Sequence, residues 1–501
     1  MKRCYVVKTF YKLKKYSKFS ELYDRLSIEM RATIWFVLCN CIQKGMAIIT
    51  IPIFTHIMSV EQYGLYSVYH TWSSLLSVIV TLNLSSGAFN NGMLRFTKTK
   101  NSYTSAMQSL TTAMAFGWFI IYFVLRKFFN AFFDLTTPMV ICMFIEIVLN
   151  ASFSFWAAKE RYEFKYVLLV LTSIGYAVLM IAIPAATVFF LADIDNSALY
   201  RIIAGLFALI LSYGWIYIWI LYRGKKFFSK EFWLFGLKFN LPLLPHYLAM
   251  TVLGQIDRIM IKQMVGAREA AIYTVAYSIA ICLQIFTTAL NQGFAPWLYR
   301  KMHEKDHINI PEIINSQLLL MNVMTLLLSL MSPEIIKLLS TKDYFEASYI
   351  IAPIAGSTFF IFIFQLLANF EFYFYKNVFI AIGSAIAALS NLLLNRIFIA
   401  RFGYYAAGYT TLISYAILAV MHCIFVFFIL KKNYGFVGEF VDVRSLAILS
   451  VLVVVTSIIV IFIYQYTCLR MCIVLTIFIL LYVKRKAIIK LFLKRNGGEL
   501  K

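Results

Sequence analysis

The chain has 501 residues, 61% of them hydrophobic and only 14% charged, with a formal net charge of +23. A water-soluble fold of this size could not hide so much apolar surface, so the bilayer must be its solvent. The basic total could suggest nucleic acid, but no polar basic domain lies outside the apolar stretches, and that class is set aside.

In chain order, residues 1–33 form a basic tail that lacks the short apolar core of a signal peptide. It reads as a solvated positive tail or as a basic amphipathic helix lying on anionic lipid. A helix crossing about 30 Å of hydrocarbon needs roughly 20 residues. Fourteen such segments follow, near 34–57, 64–89, 104–125, 138–157, 166–191, 199–222, 239–265, 272–296, 313–332, 347–374, 378–400, 405–430, 445–464 and 467–483. Connections are brief, and none has room for a soluble catalytic domain. The expected fold is all-α, a polytopic membrane protein with 14 transmembrane helices.

An even number of crossings puts both ends on one side. Of the 46 Lys and Arg residues, 34 then fall on that side and 8 on the other, counting Arg201 and Arg470 near the outer ends of their spans, with Lys44, Arg258, Lys262 and Arg396 inside spans. This positive-inside bias predicts that both termini are cytoplasmic.

"HIMSVEQYGLYSVYH" from His56 matches "QMVGAREAAIYTVAY" from Gln263 at a constant offset of 207, pairing Tyr66 with Tyr273 and Gly64 with Ala271. This internal repeat divides the chain into an N-terminal six-helix lobe (34–222), a cytoplasmic linker (223–238) and a C-terminal six-helix lobe (239–430). A loop with two extra helices (431–483) and a basic cytoplasmic tail (484–501) complete it. Six crossings return the chain to its starting side, so the lobes are parallel copies, an arrangement that favours a transport site between them.

Polar residues inside the spans fall on single helix faces. The seventh span aligns Tyr247, Thr251, Gln255, Arg258 and Lys262, with Asp257 beside them. The eighth carries Tyr273, Tyr277, Gln284, Thr288 and Asn291; the second carries Tyr66, His70, Ser73, Ser77 and Thr81; the first offers Asn40, Gln43 and Lys44. Such seams face either a water-filled cavity or another polar helix. Ser and Thr suit helix–helix contacts, whereas Lys44 and Arg258 favour a cavity, since an enclosed cation needs a partner. A guanidinium and an ammonium can hold phosphate oxygens, and the hydroxyls, amides and rings suit sugar. An anionic headgroup bearing sugars fits both. Pro52, Pro242, Pro245 and Pro353 lie in or at the start of spans, where each removes a helical hydrogen bond, with or without a gating role.

Eight scattered cysteines include no CxxC, and six histidines form no HExxH, so neither metal nor cofactor is expected.

At "IPIFTHIMSVEQYGLYSVYHTW" and "LGQIDRIMIKQMVGAREAAIYTVAYSI" the chain resembles the polysaccharide-repeat flippases of the MOP exporter superfamily, the Wzx-type O-antigen and capsule translocases. The resemblance implies movement of an undecaprenyl-pyrophosphate-linked oligosaccharide across the bacterial inner membrane by alternating access, without bond chemistry and so without an enzyme activity. It carries a central-cavity role to Asp257 and Arg258, and more loosely to Lys44. The implied partners are that glycan, membrane lipids, and a polysaccharide polymerase with its chain-length machinery. Energy would come from polymerisation or a cation gradient, with Asp257, Glu146 or Glu371 as candidate coupling acids. Competing readings are a lipid II flippase, a multidrug and toxin exporter, and a membrane oligosaccharide polymerase. The last is disfavoured because the longest external connection, around "RKFFNAFFDLTT", is short and poor in acid–base groups.

Overall fold

In hydrocarbon an open chain satisfies its backbone polar groups only as helix. The computed structural model describes residues 28–483 and Arg485, and no strand occurs among them. The rest of both basic tails lies outside the described residues, and so do the side chains of Asn40, Gln43 and Lys44.

Helix α1 (Ile28–Ile57) turns at Met58–Ser59 into α2 (Val60–Thr81), whose start is capped by the Ser59 hydroxyl accepting from Gln62 N at 3.3 Å. Helix α2 stops at Leu82 and Asn83, both left-handed with φ of 48° and 50°. A short α3 (Gly87–Arg95) follows, then α4 (Lys100–Val124), α5 (Arg126–Phe133), α6 (Thr137–Tyr162), α7 (Tyr166–Leu191) and α8 (Ser197–Gly224). A connecting helix α9 (Lys230–Asn240) leads to α10 (Leu244–Met264), α11 (Ala267–Ala280), α12 (Leu283–Glu304), α13 (Ile310–Leu339), α14 (Ser348–Tyr373), α15 (Asn377–Phe402) and α16 (Tyr405–Tyr434). Helices α17 (Val443–Phe462) and α18 (Thr467–Val483) end the described chain.

Among the described residues, ten helical elements are long and apolar enough to cross a membrane, and the other four expected spans coincide with helices α1, α2, α10 and α18. Three of these four fall short of an apolar span for physical reasons. Helix α18 has 17 residues, just short of a full crossing. Helices α2 and α10 carry the polar seams, which lower their hydropathy. The expected span at 64–89 ends early, at Thr81. The one at 272–296 is interrupted, because Gln284 N bonds to Ile281 O and Cys282 N to Ile279 O, tightening the ladder between α11 and α12.

The helices pack in two sets. In the first, α8 lies against α4, α6 and α7, and α1 against α7. In the second, α14 is the buried centre, touching α11, α12, α13, α15 and α16, while α10 packs on α15. The sets meet where α2 lies on α10 and α11. There the backbones nearly touch: a Cβ on Gly64 would sit 1.8 Å from the Ala267 carbonyl oxygen, so only glycine allows this approach.

Helix α9 belongs physically to the first set. Its last residue, Asn240, is fully buried and donates to Leu82 O at 2.9 Å and Asn83 O at 2.7 Å, while its Oδ1 accepts from Ala88 N at 3.0 Å. The extra helices α17 and α18 flank α13. Arg470 of α18 is 1% exposed and makes two bonds, 2.6 and 2.7 Å, to the Glu334 carboxylate on α13, plus one of 2.8 Å to Leu330 O.

Candidate functional site

The site lies where α2 of the first set faces α10 and α11 of the second. His70 on α2 is exposed on this seam, within electrostatic reach of Arg258 and Arg201. Tyr66, Thr251, Gln255, Gln284 and Asn291 are half-buried on the same seams. Asn291 also accepts from Asn369 Nδ2 of α14 at 2.8 Å, and Thr251 donates back to Tyr247 O at 2.9 Å.

Arg258 on α10 is 6% exposed. Its NH1 donates to Gln255 Oε1 at 2.9 Å and Gly254 O at 3.3 Å, and its guanidinium carbon lies 4.2 Å from the Tyr277 ring centre. Arg201 on α8, which the charge count assigns to the external side, is equally buried between the rings of Phe54 and Tyr66, at 3.5 and 3.6 Å. Both guanidiniums act electrostatically on His70 and Tyr63. Among the described residues neither forms an ion pair with a carboxylate. Ring faces and amides hold these cations, which leaves charge to offer an anion.

Asp257 and Tyr273 face elsewhere. The Asp257 carboxylate lies inside the second set, fully buried, and accepts from Tyr273 OH (2.5 Å), Thr411 Oγ1 (2.8 Å) and Asn395 Nδ2 (2.6 Å). Asn395 in turn reaches Asn391 at 3.2 Å and accepts from Thr410. This network joins α10, α11, α15 and α16, and each carboxylate oxygen has a donor, as a buried anion requires. The adjacency of Asp257 and Arg258 in sequence therefore separates in space: one side chain is an internal tie and the other faces the seam.

Lys262, one turn beyond Arg258, reaches across to the first set and pairs with Asp134 at 2.7 Å. Glu146 on α6 is half-buried beside the Tyr69 hydroxyl, within the first set. Glu371 on α14 is fully buried against His422 of α16. The three candidate coupling acids thus occupy three separate places. Arg201 escaped the sequence reading because it stands near the outer end of its helix, where a basic residue looks like a loop charge. No group of three or more metal-ligating His, Cys, Asp or Glu side chains occurs among the described residues.

Two helix sets around a polar, cation-bearing seam define a multi-pass membrane transporter. The chain is similar to the lipid II flippase MurJ in its inward closed conformation, with a TM-score of 0.62 and 14% identity, over 91% of this chain and 100% of that one. It is also similar to an inward-facing multidrug resistance MATE family transporter of the MOP superfamily, with a TM-score of 0.59 and 10% identity, over 79% of this chain and 96% of that one. These likenesses establish the fold. By sequence, residues 30–302 match the profile of the polysaccharide biosynthesis proteins, and the chain belongs to that family. A protein of the Lsg locus of Haemophilus influenzae is 22% identical over 368 residues, 69% of this chain and 85% of the relative.

Proposed function

We propose that this protein moves a lipid-linked, pyrophosphate-bearing oligosaccharide repeat unit between the leaflets of the bacterial inner membrane, for assembly into capsule, O-antigen or exopolysaccharide. The observation that carries the reading is Arg258: a buried guanidinium, free of any described carboxylate, on the polar seam within electrostatic reach of the exposed His70. Arg258, Arg201 and Lys44 would receive the phosphates, and the amides and rings of Gln255, Tyr66, Tyr277, Gln284 and Asn291 would receive sugars. The lipid tail stays in hydrocarbon throughout. Fourteen crossings in two parallel lobes plus two extra helices, with both termini cytoplasmic, complete the picture, and a polymerase would take the delivered unit. On that orientation the closed Gly64–Ala267 contact is external, and the space between the sets would open inward.

The test is Arg258→Ala: surface polysaccharide is lost while the protein remains at its normal level in the membrane. Normal export by that variant removes Arg258 from the mechanism. A second reading, transport of a lipid II-type wall precursor, draws support from the MurJ-like fold. Depleting the protein separates the two, since one predicts loss of surface polysaccharide and the other loss of wall synthesis.

A further inference from the structure

Glu371 and His422 form an isolated polar pair in the second helix set. Both side chains are 0% exposed, and Nδ1 of the imidazole lies 2.7 Å from Oε1 of the carboxyl group. The ring is wedged against Phe364 at 4.6 Å, and a Cβ on Gly383 of α15 would come within 3.0 Å of its Nε2. The two remaining polar atoms, Glu371 Oε2 and His422 Nε2, have no hydrogen-bond partner. Buried polar atoms without a partner call for an explanation, and here two of them meet in one pair. His246, at the start of α10, lies within electrostatic reach of His422 on α16, a helix that α10 touches, and its own Nδ1 is buried without a partner. From α12, packed on α14, the polar contribution is the neutral Asn291–Asn369 contact. Among the described residues no Lys or Arg is ion-paired with Glu371, His422 or His246.

If the imidazole is neutral and donates from Nδ1, the carboxylate leaves the pair with one uncompensated negative charge in an apolar interior. A single added proton cancels that charge, and the two vacant positions able to take it are the orphaned Nε2 and Oε2. We propose that Glu371–His422 is a reversible proton-binding site, with His246 as the adjoining group through which the proton arrives and leaves. One proton is taken from water and the same proton returns to water, so no other reactant is needed. Because His246 shares α10 with Arg258, loading and unloading act on the helix that lines the polar seam. The inference rests on the transport reading only for its purpose; the site itself can be tested without transport.

The full-length chain in lipid nanodiscs is followed by infrared difference spectroscopy between about pH 5 and 8, the range in which histidine changes charge. The wild type should show a protonated-carboxyl band that Glu371→Gln removes and whose midpoint His422→Asn moves. In cells, Glu371→Gln should lower protonophore-sensitive polysaccharide export by about tenfold, within the usual range of coupling energies. No pH-dependent carboxyl band in the wild type, or an identical band in Glu371→Gln, overturns the site. Should Glu371→Gln fail to accumulate, an unmoved midpoint in His422→Asn overturns it equally. A band that behaves as expected, with export normal in Arg258→Ala, leaves the proton site standing and overturns the transport role of the seam.

Discussion

Lys262 and Asp134 are joined twice, the ammonium lying 2.7 Å from the carboxylate Oδ2 and 3.1 Å from the backbone carbonyl of the same aspartate. The lysine belongs to α10 and the aspartate ends α5, so the contact ties the two helix sets together. Asp134 accepts it in a left-handed conformation, φ 54°, which aspartate tolerates better than most residues. The lysine side chain is 10% exposed and the aspartate 72%, so water weakens the attraction and the tie is breakable.

Lys262→Ala should therefore release this face without unfolding the protein. A cysteine introduced at Tyr66 should react with a membrane-impermeant thiol reagent about fivefold faster, as expected for loss of about 1 kcal/mol. An unchanged labelling rate, relative to the same cysteine with Lys262 intact, would show that the pair does not hold the face closed.

Gly64→Ala attacks the same closure by sterics. Its Cβ would overlap the Ala267 carbonyl, which belongs to backbone and cannot rotate aside. Spin labels at Glu61 and Arg268, now 3.9 Å apart at their charged ends, should move farther apart in the variant, and polysaccharide export should fall. An unaltered label distance contradicts the prediction.

Glu334→Ala removes the carboxylate that holds the buried Arg470 guanidinium. Stranding a buried charge costs about 3 kcal/mol, so the variant should show a clear drop in thermal midpoint in detergent. Arg470→Met, which removes the charge as well, should be milder. The reverse order would mean that the pair is not what anchors α18.

Asp442 gives a pH test outside the membrane spans. The Ser445 hydroxyl at 2.5 Å, the Ser445 and Arg444 amides at 3.1 Å and the Asn315 amide at 3.2 Å hold its carboxyl below the usual range. A folded-state pKa that is lowered stabilises above the unfolded value, about 3.9, and that contribution is lost as pH falls through the folded value. Asp442→Ala should cost about 1 kcal/mol at neutral pH, as for a lost N-cap, with the gap to wild type narrowing in acid. Thermal midpoints across pH would show it.

The spans with long apolar runs, such as α14 and α16, were legible because hydrocarbon thickness fixes their length. Helices α2 and α10 were marked as spans by their apolar stretches, and the polar seams within them leave them short of an apolar span. The interruption at Ile281–Cys282 has no proline or glycine to announce it, and it arises in the backbone ladder. The partners of Asp257 lie 16 to 154 residues away in sequence, and Asn395 and Thr411 look like ordinary helix contacts until the fold unites them. Glu371 was visible as an embedded acid, but His422 was a lone histidine in an apolar helix with nothing to mark its neighbour. Arg201 shows the same limit: its aromatic cradle is assembled from α1 and α2, far from it along the chain.

Asn240 sets where the molecule can bend. Its one amide clasps the end of α2 and the start of α3, so the connecting helix must travel as cargo of the first set. The swivel is thereby confined to the few residues after it, Leu241 to Pro245, where two prolines interrupt the ladder of backbone bonds. A rocking motion between the sets would have its fulcrum there, at the rim opposite the Gly64–Ala267 contact.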